Sequence, residues 1–501
     1  MTDDDEVTDQ EVPDRGPTAS ASLIGGAGVL FGGRLAGAAL SLTGTLLIAA
    51  ELGKQQFGSF SFIFNLLGLL GLFADFETTR VVMAELGRSN DDDEVSSIAS
   101  RFIVFRFVLG SVTYLSALAI VWIGPYSSIE IQGTAIGGLS LLIASAAWSL
   151  ISVCQAKQWL RTVAAAMFGG QVVQFIIIIV LNSTGHGSLL RYIVPFVVSD
   201  VVVFFVILTV IRKSVRVRPF IDFDSWRRWL VEAAPLAIGT AMAAMYFRID
   251  SLMLTLVLDG PASRDAVAIY QIGYKFSDLI AFLAPALIAA MLPALVQTWP
   301  RDPAGFHRTV RQSVVVVFVI SAFAIVAFAV FADPLIRWLL DDSYRSAHTP
   351  ARWLVVGQVL NLFTQIVYVC LITANRRKFY PVVTFCGLVI NVGLNLMFIP
   401  RYGVNGSAVS TVVTEIIVLA LLVGQVVDLP LRPLPTRSIA IASCAALASG
   451  AVGYLMLQAT PWPIAGLATA LTYIALLHIG NVDGPGGLKG LVARSRFVSA
   501  D

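Results

Sequence analysis

Apolar runs of about twenty residues follow one another along nearly the whole chain, and no other feature restricts its folding so severely. They cover 22–50, 57–74, 102–123, 134–154, 163–182, 190–211, 229–257, 266–295, 312–331, 352–374, 380–399, 405–427, 437–457 and 460–478. Hydrocarbon offers no partner to backbone N–H and C=O groups, so only segments that satisfy them internally can lie there. The runs predict an all-α polytopic membrane protein with about fourteen transmembrane helices. Composition agrees: the 501 residues are 57% hydrophobic and 13% charged, with a mean hydropathy of +0.80, where a soluble domain carries about 25% charge.

The loops between runs alternate in charge. "RKSVRVRPFIDFDSWRRW" (212–229), "PRDPAGFHRTVR" (300–311), "NRRKF" (375–379), "AKQWLR" (156–161) and "LRPLPTR" (431–437) fall on one side, whereas the opposite loops near 124–133 and 458–461 hold no Lys or Arg. Basic loops stay on the cytoplasmic side, which places both termini in the cytoplasm of a cell whose plasma membrane the chain spans. The acidic start reads as a disordered tail over 1–21 without a cleaved leader, and 479–501 reads as a cytoplasmic tail. Cys154, Cys370, Cys386 and Cys444 fall inside runs and read as packing residues, not as a disulfide or metal framework. "DDDE" (91–94) contains an Asp-x-Asp pattern but reads as a solvated turn, and "NST" (182–184) matches a glycan acceptor at Asn182 on the outward side. No loop is long enough for a catalytic domain, so neither an enzyme nor a nucleic-acid partner is expected.

A repeat underlies the pattern. Six runs over 22–212 and six over 229–427 read as two copies of one unit, joined by a basic linker at 213–228. Alignment of "KQQFGSFSFIFNLLGLL" (54–70) with "RDAVAIYQIGYKFSDLI" (264–280) sets Phe60 on Tyr270 and Asn65 on Lys275. Likewise "LRYIVPFVVSDVV" (190–202) aligns with "NGSAVSTVVTEII" (405–417), so Asp200 and Glu415 share a depth. An even number of helices per copy makes the repeats parallel. The runs within 437–478 lie outside the repeat and read as an added peripheral pair.

Charges at mid-depth point to function. Arg34, Asp200, Arg248, Asp250, Lys275, Asp278 and Glu415 each lie well inside a run. A charge at a helix centre costs about 2.5–3.5 kcal/mol on insertion scales, so such groups face a bundle interior or a water-filled cavity. Gln271, Lys275 and Asp278 share one helix face beside Tyr274, and Lys275–Asp278 pairing is the plain alternative to a pathway. Asn391/Asn395 and Asn361/Gln365 are i, i+4 pairs that either line a pathway or tie helices together. Arg248 and Asp250, two positions apart, point about 200° away from each other. The reading gives Arg248 to the cavity and leaves each to find a partner elsewhere: an acid such as Asp278 or Glu415 for Arg248, a base such as Lys275 or Arg34 for Asp250. Gly28, Gly32, Gly33 and Gly37 permit close packing of the first helix, and Pro235, Pro285 and Pro293 are expected break or kink sites.

Three stretches carry a family resemblance. "LFGGRLAGAALSLTGTLLIAAELGKQQFGSFSFIFNLLGLLGLFADF" (30–76) resembles the opening of polysaccharide flippases of the multidrug/oligosaccharidyl-lipid/polysaccharide exporter superfamily. "FRIDSLMLTLVLDGPASRDAVAIYQIGYKFSDLIAFLAPALIAAMLPAL" (247–295) and "NVGLNLMFIPRYGVNGSAVSTVVTEI" (391–416) are similar to two further segments of that family. "DFETTR" (75–80) departs from it, with Glu77 and Thr78 where glycine and leucine are usual. The resemblance implies a V of two six-helix lobes that open alternately, with a lipid-linked oligosaccharide on undecaprenyl or dolichyl phosphate or diphosphate as cargo. It implies cavity cations at Arg34, Arg248 and Lys275 that neutralise phosphate. Asp200, Asp250, Asp278 and Glu415 become cavity acids or ion-coupling groups, with Asn65, Gln271, Tyr274, Asn391 and Asn395 as polar lining. No cofactor is expected beyond coupling to a Na⁺ or H⁺ gradient. Membrane lipids and glycosyltransferases of the same pathway are the expected partners of a monomeric chain. A cation-coupled multidrug antiporter of the same superfamily is the alternative.

Overall fold

The computed structural model describes residues 17–482 except 90, 186, 213, 214, 216, 217, 219, 282, 377 and 430–433, and omits the side chains of 17–35, 38, 239, 243, 244, 247, 286, 289 and 290. Fourteen α-helices and one 3-10 turn, with no strand, make up the described residues. They are α1 (Pro17–Asp75), α2 (Thr78–Arg88), α3 (Asp92–Ile123), α4 (Ser128–Ala156), α5 (Leu160–Ser183), α6 (Leu189–Ile211) and α7 (Phe223–Val257). Then come α8 (Gly260–Ala281), α9 (Leu283–Thr298), α10 (Pro303–Leu339), the 3-10 turn (Asp342–Ala347), α11 (His348–Thr373), α12 (Phe379–Gly424), α13 (Thr436–Met456) and α14 (Trp462–Ile479). Among the described residues eleven segments are long and apolar enough to cross a membrane.

The helices differ from the expected fourteen runs in an informative way. The runs 22–50 and 57–74 are one element, α1, interrupted only at Gly53 (φ 65, ψ 170). The runs 380–399 and 405–427 are likewise one element, α12, interrupted at Gly403 (φ 55, ψ −131). A side chain strains such left-handed backbone, and glycine does not. At 59 residues a straight α1 would reach about 88 Å, nearly three hydrocarbon thicknesses, so the single glycine does the work of a loop. The run 266–295 is covered by α8 and α9. Pro235 and Pro293, expected as breaks or kinks, lie inside α7 and α9. α2 is a short helix that the runs did not foretell, and α1 begins at Pro17, inside the expected tail.

Packing repeats between the halves: α4 lies on α3 and α6 as α11 lies on α10 and α12, and α1 lies on α5 as α7 lies on α12. α13 packs on α10 and α14, and Tyr473 of α14 donates to the Val319 carbonyl at 2.7 Å, so the last pair flanks α10. The Asp-x-Asp loop starts a helix, with Asp91 capping α3 and Asp92 pairing with Lys157 at 2.6 Å. Asn182 lies in the last turn of α5, its amide oxygen accepting from Tyr192 Oη at 3.3 Å.

The helix ends form two layers. At the linker end, Asp222 caps α7 and accepts from Ser225 Oγ at 2.8 Å and Arg101 Nη1 at 2.9 Å. These bonds, Ser225 first, hold the Asp222 carboxyl down at about 2. Glu85 of α2 accepts from Arg228 and from the Trp229 indole at 3.0 and 2.7 Å. Trp226 and Trp229 thereby pack into a core of the first half with Phe102 and Phe105. Met253 and Leu254, further along α7, pack with Tyr270 and Leu354 of the second half. At the opposite, far end, the 3-10 turn carries Tyr344, whose hydroxyl donates to the Ala49 carbonyl at 3.0 Å.

Candidate functional site

α1, α4 and α6 of the first half face α7 and α8 of the second across a cavity of about 610 Å³. Its first-half wall is Ser41, Thr45, Ser61, Asn65 and Ser140 among the rings of Phe57, Phe60, Phe64 and Phe196. Those rings pack in a chain at 4.4–6.0 Å between centroids. The second-half wall is Arg248, Ser251, Tyr270, Gln271, Tyr274, Lys275 and Asp278. Phe60 and Tyr270, and Asn65 and Lys275, the pairs set together by the repeat, all lie on this surface.

Arg248 is the exposed cation of the cavity, and it makes no ion pair among the described residues. Its guanidinium rests against α1 at Gly68, where a Cβ would stand 2.2 Å from Nη1. Glycine there keeps open the space that the arginine head occupies. Lys275 and Asp278 form a loose pair at 3.8 Å, with both side chains partly exposed to the cavity. Gln271 donates to Ser251 Oγ at 2.8 Å, and Tyr274 stacks on Tyr270 with centroids 6.1 Å apart. The amide nitrogen of Asn65 is buried without a partner among the described residues. Arg34 lies on α1, but its side chain is outside the described residues.

The other expected site residues lie elsewhere. Asp250 does not line the cavity and has no base as partner among the described residues. It is 3% exposed inside the second half and accepts from Tyr270 Oη, Asn395 Nδ2 and Thr411 Oγ1, each at 2.7 Å. Asn395 also donates to Asn391 Oδ1 at 2.8 Å, so those two amides belong to this network and not to the cavity wall. Glu415, 2% exposed, accepts from Tyr246 Oη at 2.9 Å and Asn361 at 3.4 Å, and Gln365 donates to Asn361. Tyr246/Asp250 on α7 and Thr411/Glu415 on α12 are both i, i+4 pairs, so two buried acids lie a turn apart between the same two helices. Asp200 stays in the first half and accepts from Ser140, itself on the cavity wall. The physical reason for the difference is chemical. A buried carboxylate is satisfied by converging hydroxyl and amide donors as well as by a base, and run-counting cannot see donors from other helices.

Two charge pairs, each with one buried member, went unforeseen. Arg106, nearly buried on α3, pairs with Asp75 at the end of α1 and donates to the Ser145 carbonyl at 3.4 Å. Asp75 also accepts from Thr79 at 2.6 Å, across the left-handed residues Phe76 and Glu77 of the departing "DFETTR" turn. Glu130 of α4 pairs with Arg264 of α8 at 2.5 Å. Arg106 stands four residues inside the run 102–123 and gave the one available signal. Glu130 and Arg264 border their runs and look like ordinary loop charges.

Two helical halves related by a packing repeat, a polar cavity between them and charges at membrane depth define a polytopic membrane transporter of the multidrug/oligosaccharidyl-lipid/polysaccharide exporter type. The chain belongs to the family described as "Polysaccharide biosynthesis protein", whose model matches residues 23–299. A second model, MatE, matches residues 235–397. An uncharacterized membrane protein of Methanocaldococcus jannaschii is 20% identical over 398 residues, 73% of this chain and 76% of the relative. In fold the chain is similar to the lipid II flippase MurJ in an inward closed conformation, with a TM-score of 0.69 at 14% identity, covering 90% of this chain and 98% of that one. It is also similar to a multidrug resistance MATE family transporter in an inward-facing conformation, at 0.65 and 14% identity over 78% and 94% of the two chains. An outward-facing transporter of that family gives 0.55 at 15% identity over 84% and 98%.

Proposed function

We propose that the chain is a flippase, not an enzyme, that carries a lipid-linked oligosaccharide from the cytoplasmic to the outer leaflet of the plasma membrane by alternating access. The observation that carries this reading is Arg248: an arginine without an ion pair among the described residues, at membrane depth, in a cavity between two halves. A guanidinium in a partly dehydrated space suits a phosphate oxygen better than any neutral cargo. Lys275 is a second cation, released to the cargo when its loose pair with Asp278 opens. Serines, amides and aromatic rings along the wall suit sugar hydroxyls and ring faces. The polyprenyl phosphate or diphosphate tail stays in lipid between the halves.

A coupling cation is proposed at Asp250. Oxygens of Asp250, Asn391, Thr411 and Tyr270 converge there around the Asn395 amide nitrogen, and the Asn395 amide oxygen and nearby Ser407 hydroxyl have no partner among the described residues. Oxygens carrying one negative charge suit Na⁺ or a proton better than a soft metal. The linker end is assigned to the cytoplasm, with both termini. The basic loops there support this, as does the higher similarity to the inward-facing transporter. Glycosyltransferases that build the cargo are the proposed partners of a monomer.

The test is transport in sealed vesicles of a fluorescent polyprenyl-phosphate or polyprenyl-diphosphate glycan, with a membrane-impermeant quencher reporting the leaflet. Losing one charged hydrogen bond to phosphate, in Arg248→Gln or Lys275→Gln, is expected to slow transport about ten- to a hundredfold at low substrate. Full activity in both variants sinks the phosphate assignment. Efflux of cationic dyes without any glycan-lipid transport favours the antiporter, for which Asp278 in the cavity is the group to mutate.

A further inference from the structure

The far end of the cavity is shut by charged contacts between the halves, of which one is buried. Glu130, 1% exposed at the start of α4, accepts from Ser59 Oγ at 2.9 Å and from the Ser127 backbone N–H at 2.9 Å. All of those groups belong to the first half. Arg264 of α8, in the second half, completes the carboxylate with Nε at 2.5 Å and Nη2 at 3.2 Å. Its guanidinium lies over the rings of Phe62 and Tyr126, at 5.1 and 5.8 Å from their centroids. The backbones also touch: a Cβ on Gly58 would stand 2.0 Å from the Arg264 carbonyl oxygen. Lys54 and Asp265 pair beside the contact at 3.4 Å. Phe57 and Phe60 of the cavity wall lie on the same stretch of α1.

We infer that Glu130 and Arg264 form the latch of the far end, and that withdrawal of Arg264 is the step that opens the cavity there. This rests on the alternating-access reading above. The parts are asymmetric. Glu130 keeps its Ser59 and Ser127 donors after release, so the first half presents a finished acceptor. Among the described residues the Arg264 guanidinium holds one other hydrogen bond, from Nη1 to the neighbouring Ser263 at 3.0 Å, so it is the moving part. A buried pair that loses one member leaves an uncompensated charge, whereas separation into water hydrates both. The contact is therefore stable fully closed or fully open and unfavourable between, as a two-state gate requires.

The experiment needs no substrate. Ser61→Cys on the cavity wall, in a background with the four native cysteines replaced, is labelled in sealed vesicles by a membrane-impermeant maleimide applied to each side in turn. The parent with the latch intact is expected to label slowly from the far-end side. Glu130→Gln is expected to raise that rate at least about tenfold, and Arg264→Lys, which keeps the charge, to raise it less. Gly58→Ala is expected to raise the rate with Glu130 and Arg264 intact, so a Glu130 variant that fails to fold does not decide the matter. A disulfide between Lys54→Cys and Asp265→Cys is expected to abolish far-side labelling. Parent-like rates in both Glu130→Gln and Gly58→Ala overturn the latch, whatever the cargo. A working latch in a protein that moves no glycan-lipid overturns only the flippase reading.

Discussion

Replacing Asp250 by Asn separates two accounts of the buried network. The carboxylate accepts three bonds of 2.7 Å from Tyr270, Asn395 and Thr411, with no base among its described partners. Hydrogen bonds to a charged group contribute about 1.5–3 kcal/mol each, so three supply about 5–9 kcal/mol. Dehydrating one carboxylate costs several kcal/mol, so the terms nearly cancel and an added cation decides the sign. A bound cation at a hundred times its dissociation constant stabilises the folded state by about 2.7 kcal/mol. For a cooperative unit of about 200 residues that is a rise of about 5–10 °C in Tm. The assay is thermal unfolding of purified protein by tryptophan fluorescence, in Na⁺ against choline and across pH. The wild type is expected to show the cation-dependent rise and Asp250→Asn to lose it, with a cation-free Tm near that of the wild type. If Asp250→Asn keeps the full rise, or if neither ion nor proton moves the wild type, the coupling site is not at Asp250.

Two further outcomes follow from single positions. Gly68→Ala puts a methyl 2.2 Å from the Arg248 head, which is flexible and swings aside, so Tm is expected to hold while transport falls about tenfold. In the Arg248→Gln background the same alanine is expected to add nothing, and an additive loss in that double mutant refutes the notch. Asp222 is held down at about 2 by Ser225 and Arg101. A depressed carboxyl gives stability that is complete above its unfolded value near 4 and is lost as pH falls through about 2. Asp222→Asn is therefore expected to flatten the acid limb of the stability profile between those values, and an unchanged limb counts against the cap.

The sequence made the fold class plain because lipid solvation acts on every residue of a twenty-residue run at once. The mid-depth charges were visible for the same reason: a lysine such as Lys275 is conspicuous in oil. The opposite faces of Arg248 and Asp250 follow from helical geometry alone, and the structure puts Arg248 on the cavity wall and Asp250 inside the second half. Partners were not legible. Tyr270, Thr411 and Asn395 reach Asp250 from helices 20, 161 and 145 residues away in the chain, and neutral donors leave no mark on a hydropathy trace. The runs stop on either side of Gly53 and Gly403, but composition does not show that a single left-handed glycine, and not a loop, interrupts the helix there. Glu130 and Arg264 were passed over since their depth is set by the closing of the halves, which no local window contains.

α7 gives Trp226 and Trp229 to the first half and Met253 and Leu254 to the second. Anyone dividing the gene to express the halves separately would cut at the basic linker, where the repeat ends. That cut leaves the amino-terminal fragment without two indoles from its interior and the carboxy-terminal fragment with them exposed. A fragment that runs through α7 to about Pro235 keeps both, so the seam for coexpression lies within a helix and not in the loop before it.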